Sequence, residues 1–127
     1  MNYGFVKVAA AVPHVQVADC FYNIQQMEGL MRQASDKGVQ IIAFPEMSVT
    51  AYTCLDLFAQ QTLLKNAEQA LLKLVSDTAD LNILTIAGAP LVTENRLINA
   101  AIAFQAGKIL GVVPKTYIPN YKDCLLY

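Results

Sequence analysis

Two short apolar runs, FVKVAAAV at 5–12 and VQIIAF at 39–44, flank a segment whose apolar side chains recur at helical spacing. The pattern then repeats through residues 60–80 into NILTIAGAPL at 82–91. A β-α-β-α-β order of this kind leaves few topologies. Parallel strands need long crossovers, and the crossover helices must cover the sheet they connect. The first helix is predicted over 18–37, with Phe21, Ile24, Met27, Met31 and Ala34 on one face, Asp19 as its cap and Gly38 as its stop. The second is predicted over 60–80, with Leu63, Leu64, Ala67, Leu71, Leu74 and Val75 turned inward. NILTIAGAPL (82–91) reads as the third strand, with Gly88 and Pro90 near its end. LINAAIAFQ (97–105) and KILGVV (108–113) then read as strands joined by a tight turn at Ala106–Gly107. The expected fold class is α/β: one domain built on a mixed sheet, with two helices on one face and an apolar opposite face.

Composition narrows the function classes. The 127 residues carry a net charge of −1, which gives no basic field for nucleic acid or an anionic membrane. No apolar run approaches the ~20 residues of a membrane span. The start, MNYGFVKVAAAV, lacks the charged region that opens a signal peptide, so the expected location is cytoplasmic. At 55% hydrophobic residues, the chain is rich in apolar surface for its size, as though a face meets a further partner. Three cysteines, Cys20, Cys54 and Cys124, show no CxxC spacing, and His14 is the single histidine, so no metal site is expected.

Two charged residues share one kind of position. Glu46 follows VQIIAF through Pro45, and Lys115 follows KILGVV through Pro114. In open α/β sheets, ligands bind beyond the strand ends. A carboxylate and an ammonium delivered there can pair for proton transfer and charge stabilisation. Polar residues at strand ends are also ordinary solvated loop residues. Tyr52 and Tyr121, each six positions after one of the pair, read on their own as packing residues.

FPEMSVTAY with CLDLF, AGAPL and LGVVPKTYIPNY resembles the nitrilase (carbon–nitrogen hydrolase) superfamily. Within it, the chain is most similar to the N-terminal glutaminase domains of glutamine-dependent NAD⁺ synthetases, over roughly residues 3–122. The resemblance implies an α-β-β-α sandwich and a Glu-Lys-Cys triad. Glu46 falls on the catalytic acid and Lys115 on the catalytic lysine. Tyr121 and Tyr52 fall on positions that line the glutamine pocket. The implied whole protein is a C–N bond-forming ligase: glutamine is hydrolysed, and ammonia passes to a C-terminal domain that uses ATP and Mg²⁺ to amidate deamido-NAD⁺. Such proteins are homo-oligomers when full length.

The chain departs from that pattern in three places. The family's cysteine lies well downstream of the lysine, and residue 127 is only twelve positions past Lys115 (127 − 115). After PNY the family continues with an acidic and aromatic stretch, where this sequence reads KDCLLY. Before Tyr52 the family has glycine and this chain has Ala51, at ease only where φ is negative. Residues 1–127 are therefore expected to be the incomplete N-terminal part of a nitrilase-like domain, inactive alone and needing no cofactor of its own. An altered reading frame or an interrupted gene would end it this way; a purposeful short paralogue is the other reading. Two alternatives remain: part of a stand-alone nitrilase-like amidase, or a non-catalytic interaction fragment.

Overall fold

The computed structural model describes residues 4–51 and 61–116. The elements, in order, are β1 (Val8–Ala10), α1 (Cys20–Asp36), β2 (Ile41–Ala43), α2 (Gln61–Asp77), β3 (Leu84–Thr93), β4 (Arg96–Gln105) and β5 (Lys108–Pro114). They form one sheet in the order β1-β2-β3-β4-β5. β1, β2 and β3 run parallel, while β3-β4-β5 is an antiparallel meander, so the sheet is mixed, as the sequence predicts.

Both crossovers join adjacent parallel strands in the same direction. With the right-handed sense such connections take, α1 and α2 fall on the same side of the sheet. The core is what that side buries: Ile24, Met27 and Met31 of α1, Ala67, Leu71 and Leu74 of α2, and Ile42, Ala87, Ile102 and Phe104 of the sheet. The caps are those the sequence announces. Asp19 accepts the Tyr22 backbone N–H at 3.2 Å, and Gly38 leaves α1 at φ 79°. The face of α1 differs from expectation at two positions. Phe21 is exposed, and the polar Asn23 is fully buried in its stead.

The strand boundaries move as well. β1 and β2 are only three residues each, shorter than the apolar runs that mark them. β3 keeps its expected length but is shifted by two residues, Leu84–Thr93 rather than 82–91, so Gly88 and Pro90 lie well inside it. Proline is tolerated because of which neighbour its nitrogen faces. Gly88 exchanges its backbone bonds with the segment after β2, through Val49 N–H (3.0 Å) and Ser48 Oγ (3.1 Å). Pro90, two residues on, therefore faces the same side, past the end of β2, and removes no bond from the β3–β4 ladder. The two hairpin turns are built alike. Glu94–Asn95 (φ 50° and 62°) and Ala106–Gly107 (φ 51° and 82°) both take the paired positive φ of a type I′ turn.

Among the described residues, no helix is long and apolar enough to cross a membrane.

Candidate active site

β2 and β5 point the same way, and their carboxyl ends lie at the same end of the sheet. Each strand leaves through a proline, and the residue after the proline carries the charge. Lys115 Nζ donates to Glu46 Oε1 at 3.0 Å, across 69 residues of sequence. The direct contact predicted from the matched strand exits is therefore present. The two side chains are 30% and 38% exposed, so water still reaches the pair. An ion pair this accessible contributes little to stability, at most about 1 kcal/mol.

A third residue joins them. Asn99 of β4 donates its Nδ2–H to the same Glu46 Oε1, and its backbone carbonyl accepts the Lys115 N–H at 2.8 Å. Sequence reasoning missed Asn99. The available signal was a single amide in the apolar run LINAAIAF, on a strand that should bury one face and leave the other half wet. The pleat turns Asn99 to the side away from the helices, yet it is only 7% exposed because the charged pair sits over it.

The segment that carries Glu46 is fixed from several directions. A Cβ on Gly88 would lie 2.5 Å from Met47 N and 2.8 Å from Pro45 O, so only glycine lets residues 45–47 cross β3 this closely. Ser48 accepts the Gly88 N–H through its hydroxyl. The buried Asn23 donates to the carbonyls of Val49 and Gln16, both at 2.9 Å, and accepts the Gln16 N–H at 2.7 Å. Ala18 N–H reaches Thr50 O at 2.9 Å. Asn23 thus ties α1 to the loop of the acid, which accounts for an amide displacing Phe21 from the inner face. The loop also holds two non-glycine residues at positive φ, Met47 (58°) and Ala51 (69°). Ala51 does therefore require the conformation in which glycine would be at ease.

Beside the pair opens a cavity of about 310 Å³. Its walls are mostly small or apolar: Phe44, Ile86, Gly88, Ala101, Val113 and the two prolines. Glu46 and Lys115 are the only ionisable groups in the lining among the described residues. Such a site has one fixed cation, one carboxylate and an apolar wall, which suits a small neutral substrate whose reaction develops negative charge on oxygen. Cys20 is buried at the start of α1, in the core between helices and sheet. Tyr52, Tyr121, Cys54 and Cys124 lie outside the described residues. His14 is exposed, and no cluster of three or more His, Cys, Asp or Glu able to hold a metal occurs among the described residues.

Comparison with known proteins gives a consistent answer. The model of the carbon-nitrogen hydrolase family matches residues 7–123. The glutamine-dependent NAD(+) synthetase of Mycobacterium tuberculosis is 38% identical over 122 residues, covering 96% of this chain and 18% of that protein. Among solved structures, a glutamine-dependent NAD(+) synthetase from Cytophaga hutchinsonii superposes with a TM-score of 0.83 at 21% identity, over 91% of this chain and 20% of the other. An amidase from Nesterenkonia sp. superposes with a TM-score of 0.77 at 17% identity, over 93% of this chain and 45% of the other. At these identities the two structures speak for the fold alone. The chain spans less than a fifth of the length of the mycobacterial relative it matches.

Proposed function

Because the chain belongs to the carbon–nitrogen hydrolase family, we propose that it forms the N-terminal part of the glutaminase domain of a glutamine-dependent NAD⁺ synthetase. The observation that carries this reading is the contact between Glu46 and Lys115 at the common exit of β2 and β5. The identity to a synthetase over 96% of the chain favours that branch of the family over a stand-alone amidase.

In this reading the residues divide the work as follows. A cysteine thiol supplied by the remainder of the domain enters the cavity beside the pair. Glu46 takes its proton, and the thiolate attacks the side-chain amide carbon of glutamine. The electron pair of the C=O bond moves to oxygen, and Lys115 stabilises the oxyanion from a fixed position. The C–N bond then breaks, and the nitrogen takes the proton back from Glu46 and leaves as ammonia. Water attacks the thioester, with Glu46 again accepting a proton. The C–S bond breaks, the proton returns to sulfur, and glutamate is released. Tyr52 and Tyr121 belong to the glutamine pocket in this assignment. ATP and Mg²⁺ act in the C-terminal synthetase domain, where the ammonia is used. Full-length protein of this class is read as a homo-oligomer working in the cytoplasm.

The 127-residue chain should show no ammonia release from glutamine, because in this reading none of its own three cysteines serves as the nucleophile beside the acid and the lysine. The decisive experiment is to sequence the locus beyond codon 127, express the product it encodes, and measure ammonia release from glutamine with and without Glu46→Gln. Glutamine hydrolysis that Glu46→Gln abolishes, together with an SGGxDS-type motif downstream, supports the reading. Ammonia release by residues 1–127 alone, lost on Cys124→Ser, would refute it and make Cys124 the nucleophile.

A further inference from the structure

Two donors, Lys115 Nζ and Asn99 Nδ2, converge on one oxygen of Glu46, Oε1. Among the described residues, no hydrogen bond reaches Oε2. A carboxylate has two oxygens and about four lone-pair sites, so two donors need not share one atom. Here both fall on one atom, and the other oxygen keeps its lone pairs available.

We propose that Asn99 is a positioning residue that divides the carboxylate of Glu46 into a held oxygen and a working one. Oε1 is fixed by the amide and the ammonium, and Oε2 is the oxygen that receives the proton. The assignment rests on the reading of Glu46 as the base. It goes beyond that reading by adding a residue and by naming the atom.

The geometry gives Asn99 a double hold. Its side chain fixes the acid, and its backbone carbonyl fixes the main chain of Lys115. One residue of β4 therefore sets the distance between the two charged groups, which arrive on separate strands. An amide suits the position. It donates without carrying charge, so it neither neutralises the carboxylate nor competes with Lys115 for a proton. A leucine would fill the space and leave Oε1 with one donor. An aspartate would keep the shape, lose the donor, and set a second negative charge against Oε1.

Two measurements test this. In the isotopically labelled 127-residue chain, the Asn99 Nδ2 protons should titrate with the same midpoint as the Glu46 carboxyl carbon, and that titration should vanish in Glu46→Gln. An Asn99 amide signal that ignores the Glu46 titration overturns the proposal. In the glutamine-hydrolysing protein that carries these residues, Asn99→Leu and Asn99→Asp should each lower kcat roughly 100-fold, the scale for a displaced reacting group. KM should stay within about threefold, since binding contacts are untouched. The acid limb of the pH–rate profile should move in both variants. Asn99→Ser, which keeps a donor, should recover part of the rate. Wild-type kcat and an unmoved profile in Asn99→Asp would sink the positioning role. If the extended wild-type protein fails to hydrolyse glutamine, the proposed function falls, and the titration still decides the role of Asn99.

Discussion

The two faces of the sheet use the same strands and have different fates. Toward the helices, Ile42, Ala87, Ile102 and Phe104 are each 1% exposed or less. Their neighbours one residue away point to the other side, where Val8 is 64% exposed and Val113 66%. Both faces are largely apolar, so hydrophobicity does not separate them. What separates them is cover. Over β1–β4 the inner face is a packed core, while its β5 edge stays open, with Ile109 43% and Val112 44% exposed. The outer face keeps its apolar residues wet and carries the Glu46–Lys115 pair at the strand ends. The Glu46–Lys115 pair thus stands at the end of the sheet whose outer face these residues leave uncovered.

Substitutions on the two faces should separate them cleanly. The largest effect belongs to the inner face. Phe104→Ala should cost about 3–5 kcal/mol in chemical denaturation, because a fully packed ring leaves a cavity. If it costs as little as an outer-face change, the inner face is not packed over β4. Next comes the seam between the faces. Gly88→Ala should cost about 1–3 kcal/mol, since the new methyl meets backbone atoms that cannot rotate away. It should also push Glu46 from Lys115, so the Asn99 amide signal should lose its titration. A wild-type melting curve with the titration intact would show that the close crossing is not needed. Ala51→Gly should go the other way, stabilising by about 1 kcal/mol through release of a left-handed alanine. A loss of stability there would mean that the Ala51 methyl contributes more by burial than its backbone costs. The smallest effect belongs to the outer face. Val113→Ser should change stability by less than about 0.5 kcal/mol while reducing the binding of a hydrophobic dye. Unchanged dye binding would show that this face is not where the dye sits.

Much of this was legible in the sequence, for identifiable reasons. The helices were readable because 3.6-residue periodicity and capping residues are local signals. Asp19 and Gly38 needed no tertiary information. Glu46 and Lys115 were readable because a strand, a proline and a charge recur twice, and the repeat implies a common sheet end. Asn99 was not readable. Its role depends on which way the pleat turns it and on which residues arrive from two other strands. Asn23 was missed for a related reason: an amide on an apolar helix face looks like a solvent residue until the loop carbonyl it must satisfy is in place. The shift of β3 to end at Thr93 rather than Leu91 depended on its pairing with β4, and no local pattern announces that. The turn at Glu94–Asn95 was half visible, since asparagine tolerates positive φ and glutamate rarely adopts it.

The switch from parallel to antiparallel pairing at β3 has a kinetic consequence. β3, β4 and β5 are joined by two-residue turns and can zip from local loops, at small entropic cost. β1-α1-β2 must instead dock onto that meander through long crossovers. Lys115 and Asn99 belong to the fast, local unit; Glu46 belongs to the slow one. The ion pair therefore closes only when the second unit docks on the first, so a chain that has folded halfway lacks it. Hydrogen exchange should find the Lys115 amide, bonded within the meander, recruited into protection before the Phe44 amide, which bridges the two units at 2.9 Å. Simultaneous protection of both amides would argue for a single folding unit instead.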